Sequence, residues 1–220
     1  GAAMGKTTFL RLIARDLVPT EGFIHYPTRW HVRLIGMRPQ LFRGTLGKNL
    51  RFGCTYDHPT EEVKALCTAL GMSASLLRPA DWEEADVGRD GSKMAYTDII
   101  LVGVVRALLS SVDLLLVANA LDVLGQETMD KVISVLRDWV LHSGCRCLKT
   151  YSASRPRHLD KKKLLLLATK ISMLQEAADL QIQMKGPVAD EYGPFPEPVM
   201  LGLQDLPQTW DSSPLGTGSG

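Results

Sequence analysis

The sequence has no apolar run near the ~18 residues needed to span a bilayer. Its most conspicuous candidate, Leu164–Leu167, is far too short and follows three lysines. An excess of either charge is also missing. The net charge of +1 gives no electrostatic argument for nucleic acid or for an acidic membrane surface, so no nucleic-acid partner is expected. Cysteine is scarce: Cys54, Cys67, Cys145 and Cys147. Cys145 and Cys147 lie two apart with no second pair to complete a zinc site. Free thiols in a reducing compartment are expected, with a two-thiol ligand set as the alternative. No internal repeat is present. No signal peptide opens the chain, and it starts at Gly1 rather than at a methionine, so its natural start is expected upstream.

What is there is a core-forming sequence. Its 45% hydrophobic content is ordinary for a globular domain, and 220 residues are enough for one core. Residues 6–17, KTTFLRLIARDL, place Phe9, Leu10, Ile13 and Leu17 on one helical face. Pro19, Thr20 and Gly22 mark a turn, followed by strand-like runs at Phe23–Tyr26 and His31–Ile35. Residues 60–70 read as a helix with Thr60 as N-cap and Gly71 as its stop. Residues 98–109, DIILVGVVRALL, are apolar nearly all round, as in a buried helix. Asp113–Ala118 reads as a buried parallel strand, and residues 126–141 as another helix. This alternation predicts an α/β fold with a parallel sheet. Lys161–Lys163 reads as a solvated turn. The proline-, glycine- and serine-rich residues 181–220 read as a disordered tail.

The opening GAAMGKTT carries the strongest local chemistry. A phosphate-binding loop needs backbone N–H groups aimed at phosphate oxygens at a helix N-terminus. It also needs a lysine to reach the β- and γ-phosphates and a hydroxyl for Mg2+. Lys6 and Thr7 suit those two roles, and Gly5 allows close backbone approach. Ala3, Met4, Gly5, Lys6, Thr7 and Thr8 are therefore the candidate ATP-binding residues, with Thr7 the candidate Mg2+ ligand. The alternative for MGKTT alone is a helix start with an exposed lysine.

The order of motifs beyond this loop resembles the nucleotide-binding domains of ABC exporters, from Gly1 to about Leu167. PTEGFI is similar to the family's PT-x-G-x-I turn and strand. IGMRPQLFRGTLGKNLRFG is similar to its V-P-Q-x-P-x-L-F-x-G-T segment and the N and G that follow, with Pro39, Leu41, Phe42, Gly44, Thr45, Asn49 and Gly53 in register. VGRDGSKM resembles the lead-in to the signature motif, VVRALL the segment after it, DLLLV the strand that carries the Mg2+-binding carboxylate, and YSASRP the switch segment. The resemblance implies a P-loop NTPase-like parallel sheet core of ABC ATPase type, with the family's first strands missing. It implies a domain over residues 1–180 with an inserted helical subdomain at about 54–97.

On that alignment, most family positions that hydrolyse ATP are replaced. The glutamine that senses Mg2+ falls at Met37, whose thioether does not suit that ion. The strand-end aspartate falls at Ala118 and the glutamate that polarises water at Asn119, an amide that accepts no proton at neutral pH. The switch histidine falls at Ser154. The signature pentapeptide falls on Met94–Asp98, where Ala95 lacks a hydroxyl, Tyr96 and Thr97 add side chains, and Asp98 adds negative charge near a triphosphate. Asp113 and Asp122 are weighed as substitute carboxylates, and His158 as a substitute histidine. Tyr26 and Trp30 are expected to be core or edge residues rather than adenine-stacking ones.

The resemblance implies an ATP-binding domain of a membrane exporter at the cytoplasmic face of a membrane. Its implied cofactors are ATP and Mg2+. Its implied partners are a second nucleotide-binding domain and transmembrane domains outside this chain. An active ATPase with unusual substitutions, and a pseudo-domain that no longer binds nucleotide, are the alternatives.

Overall fold

A computed structural model describes residues 5–54, 56–148, 162–170 and 179. The tail at 181–220 and the segment around Ser154 and His158 lie outside the described residues, as do Ala3 and Met4. Residues 5–170 form one compact unit.

Three parallel strands form its sheet: β1 (Val32–Ile35), β2 (Leu114–Ala118) and β3 (Leu164–Ala168). Their order is β1-β2-β3, with Val32 opposite Leu114, Leu114 opposite Leu164, and Ala118 opposite Ala168. Helix α1 (Lys6–Ile13) packs through Leu10 on Leu116, Ala118 and Ala168, with Phe9 and Ile13 beside them. Between β1 and β2 come α2 (Leu46–Leu50), α3 (Thr60–Ala69), α4 (Ala74–Leu77) and α5 (Tyr96–Leu109). Helix α6 (Gln126–Leu141) joins β2 to β3. This is the α/β fold expected, with parallel strands linked by helical crossovers. No helix among the described residues is long and apolar enough to cross a membrane.

Helix α5 is buried on nearly every face, as its composition predicts. It approaches β1 closely because Gly103 has no side chain. A Cβ there would lie 2.8 Å from Pro39 Cγ and 3.5 Å from Ile35 Cγ2. Valine at this position would gain about 0.5 kcal/mol of helix propensity. It would lose about 2–3 kcal/mol to overpacking against a stiff proline ring. Gly103→Val is therefore expected to destabilise the domain, read as a lower midpoint in urea denaturation with an unchanged slope.

Four expectations are corrected. Phe23–Tyr26 is not a strand: Phe23 is 88% exposed, and no neighbouring strand pairs with this segment among the described residues. The first helix ends at Ile13 rather than Leu17. Arg15 turns left-handed at φ 62°, and the amides of Asp16 and Arg15 bond back to Arg11 O (2.9 Å) and Leu12 O (3.1 Å), a closure that stops a helix. Thr60 is the first residue of α3, whose N-cap is Pro59. Lys163 is buried rather than solvated: its Nζ donates to Val112 O (2.5 Å) and sits 3.4 Å from Asp113 Oδ1. Asp113 also accepts from His31 N (3.0 Å), so its carboxylate ties the starts of β1, β2 and β3 together instead of facing a metal.

The cysteines are free thiols, and no cluster of potential metal ligands occurs among the described residues. Cys145 and Cys147 hydrogen-bond to each other, which pushes Cys145 up, helped by burial, and lowers Cys147. Burial pushes Cys67 up to about 12.

Candidate functional site

The site forms where the N-terminus of α1 meets the carboxyl ends of the strands, the usual ligand position in an open parallel sheet. Gly5 caps α1 in a left-handed conformation, φ 69° and ψ 0°, that only glycine adopts freely. The first intrahelical bond is Phe9 N to Gly5 O, 2.8 Å. The amides of Lys6, Thr7 and Thr8 therefore have no acceptor within the helix and are available to an anion.

Both functional side chains of this turn are engaged inside the protein. Lys6 Nζ donates to Thr169 O (3.0 Å), just past the end of β3. Thr7 Oγ1 accepts from Asn119 Nδ2 (3.1 Å), just past the end of β2. Asn119 is held in a left-handed conformation, φ 54°, and its amide N donates to Ala168 O (2.8 Å). Its Oδ1 is buried without a partner among the described residues. Asp122 does not face Thr7. Its two carboxylate oxygens accept from Thr169 Oγ1 (2.6 Å) and Lys170 N (3.1 Å), so it positions the segment that holds Lys6.

An open cleft of about 650 Å³ extends from Thr7, Ala118 and Asn119 along the segment after β1. Met37 lies in its wall, 44% exposed, and its backbone O accepts from the Tyr96 hydroxyl. Asp98 takes no part. It is 2% exposed and accepts from Ser73 N (2.9 Å) and Ser73 Oγ (2.6 Å), so its charge caps α4 inside the domain instead of standing near a triphosphate. Tyr26 is half-buried beneath the Arg15 guanidinium, 4.6 Å from its ring centroid, and Trp30 is half-buried.

The sequence reading missed the group that shapes this cleft. Arg106, 6% exposed on α5, donates Nη1 to Gln40 O (2.5 Å), Nε to Asn49 O (2.5 Å) and Nη2 to Asn49 Oδ1 (2.7 Å). Asn49, fully buried, also accepts from Phe42 N and donates to Phe42 O and Thr45 O. The loop from β1 to α2 is thus fastened to α5. Burial, and then the nearby Arg33 charge, lower the Arg106 pKa. A signal was available: Arg106 is the one charged residue in the otherwise apolar stretch of α5 from Ile99 to Leu109.

The donors around Thr7 do not fit Mg2+, which takes six oxygens in near-ideal octahedral geometry. Ala118 offers a methyl group, Met37 a thioether, and Asn119 points its N–H side at Thr7. Asn119 Oδ1 is buried on the side away from Thr7 Oγ1, which its Nδ2 contacts.

The fold and this helix-strand junction define a P-loop NTPase-like domain. No family model matches the chain. It is 25% identical over 202 residues to the mitochondrial iron-sulfur clusters transporter ABCB7 of Rattus norvegicus, covering 86% of this chain and 24% of that protein. It is 22% identical over 196 residues to the multidrug resistance-like ATP-binding protein MdlA of Escherichia coli, covering 84% and 30%. Among solved structures, a bacterial Atm1-family ABC exporter with ATP bound matches at a TM-score of 0.59 and 20% identity, covering 79% of this chain and 29% of that one. The homologues are ABC exporters, and the chain is related to their nucleotide-binding domain. It spans less than a third of the length of these relatives.

Proposed function

We propose that this chain is the ATP-binding domain of an ABC-type exporter, coupling ATP binding to export, with weak or no hydrolysis of its own. The domain spans residues 1–180, with residues 54–97 as its helical subdomain. Its partners are a second nucleotide-binding domain and transmembrane domains, at the cytoplasmic face of a membrane. Residues Ala3–Thr8 hold the phosphates, and Thr7, the expected Mg2+ ligand, accepts instead from Asn119 Nδ2.

The observation that carries this reading is the start of α1, whose first amides have no acceptor within the helix, with Lys6 facing the end of β3 and Thr7 the end of β2. A triphosphate would draw Lys6 from the Thr169 carbonyl, because an anion is the stronger acceptor for an ammonium group. The expected result is ATP binding that weakens at least tenfold in Lys6→Ala, since one charge-assisted hydrogen bond is worth about 1.5–3 kcal/mol. Calorimetric titration of both proteins measures it, and equal affinities would exclude the reading. A pseudo-domain that binds no nucleotide is the second reading. It draws on Lys6 and Thr7 both being engaged internally, and would show as no heat with either protein.

A further inference from the structure

The cleft beside Thr7 has the wrong sign of charge for a metal ion. Arg11, Arg33, Arg38 and Arg106 line it, against one carboxylate, Asp16. Arg33 and Arg106 serve the fold. Arg33 Nη1 donates to Ser110 Oγ (3.0 Å), and Arg106 fastens the loop from β1 to α2. Arg11 and Arg38 are exposed. Arg11 follows Thr7 by four residues on α1, so the two share a helix face, and Arg38 adjoins Met37.

We propose that this cleft takes a triphosphate as its free, magnesium-less anion, with Arg11 and Arg38 supplying the positive charge that a divalent cation would otherwise supply. The proposal rests on the nucleotide-binding reading and makes it specific. Two independent observations converge on it. The hydroxyl suited to a metal is already hydrogen-bonded by the Asn119 amide, with no oxygen ligand from Met37 or Ala118 to join it. The cleft that runs from that hydroxyl is lined by four arginines against one carboxylate, and guanidinium groups repel a dication and bind phosphate oxygens in a planar, two-pronged geometry. Free ATP also carries more negative charge than its magnesium complex, so a cationic cleft binds it at least as well.

The test is calorimetry on the full chain, titrating ATP in excess Mg2+ and again in EDTA, with inorganic tripolyphosphate in EDTA as a second probe. The variants are Arg11→Ala, Arg38→Ala and the pair together. Both positions are exposed and leave the core intact. The wild type is expected to bind ATP with affinities that agree within about twofold in the two buffers, or more tightly in EDTA. The double variant is expected to lose about tenfold or more in EDTA. ATP binding at least tenfold tighter with Mg2+, or a double variant that binds ATP in EDTA as tightly as the wild type, would overturn the proposal and leave the ATP site standing. Tripolyphosphate binding that depends on the two arginines, without ATP binding, would uphold the anion site and overturn the nucleotide reading. Binding of neither probe would overturn both.

Discussion

Arg106→Ala is expected to cost about 3 kcal/mol of unfolding free energy. The guanidinium makes three short hydrogen bonds to Gln40 O, Asn49 O and Asn49 Oδ1. Hydrogen bonds to a charged group contribute about 1.5–3 kcal/mol each when measured singly, and a shared network yields less than their sum. Alanine removes the donor to all three oxygens, two of them on the fully buried Asn49, and opens a cavity beneath Phe42 and Phe52, whose ring centroids lie 5.9 and 5.6 Å from the guanidinium carbon. Against a typical domain stability of about 5–15 kcal/mol, this is a large fraction. In thermal unfolding it corresponds to about 10 °C.

Arg106→Lys is expected to recover little, because one ammonium cannot reach three acceptors arranged for a planar fork. Asn49→Ala tests the same network from the other side. It removes the acceptor of Arg106 Nη2 and the donor to Phe42 O and Thr45 O. The two alanine variants together are expected to cost clearly less than their sum. Strict additivity in that cycle would show that the contacts do not act as a unit. The consequence reaches the site, because the fastened loop carries Met37, Arg38 and Gln40 along the cleft wall.

The second large effect concerns catalysis. The chain alone is expected to release phosphate from ATP no faster than Lys6→Ala does. Phosphoryl transfer depends on positioning and charge stabilisation, and one missing group commonly costs about 3 kcal/mol, roughly a hundredfold or more in rate. Ala118 and Asn119 end β2 without a carboxylate, and Met37 provides no oxygen. On the family alignment Ser154 adds a fourth replacement; that residue lies outside the described ones. Such losses are not additive, but they act in one direction. Asn119 has a further effect beyond lacking a base: its amide donates to the Thr7 hydroxyl, where the family's aspartate and glutamate positions would bring oxygens.

The combined variant Ala118→Asp, Asn119→Glu and Ser154→His is expected to improve the site facing Lys6 without reaching full activity. A composite site also needs a signature from a second domain, and Met94–Asp98 cannot provide one in a pair of identical chains. A phosphate-release assay measures both proteins against Lys6→Ala. Wild-type turnover near about 1 per second, a typical enzyme rate, that disappears in Lys6→Ala would refute catalytic degeneracy.

The sequence by itself determined the fold class and most of its elements, because periodicity and composition report burial directly. The all-round apolar run that became α5, the short run that became β2 and the amphipathic pattern of α6 each have one stable placement in a layered α/β domain. The helix start at Lys6 was legible for the same local reason: glycine followed by lysine and threonine is a turn-to-helix signal. Strand β3 was not read, since Leu164–Leu167 is an apolar run whose length suits either a strand or a helix segment, and only pairing with β2 decides. Phe23–Tyr26 has strand-like residues but no pairing strand among the described residues, and a strand exists only through its pairing.

Tertiary structure alone decided which polar groups meet. Lys6 and Thr169 are 163 residues apart, Thr7 and Asn119 112, and Arg106 and Asn49 57. Spacing along the chain carries no record of such contacts. Asp98 and Asp122 could be weighed as site charges from sequence, yet a carboxylate's role depends on the donors that surround it. Those were Ser73 in one case and Thr169 with Lys170 in the other. The cationic wall of the cleft has the same origin. Its arginines come from α1, β1, the loop after β1, and α5, and a net charge of +1 conceals their convergence, because a sum over the chain contains no positions.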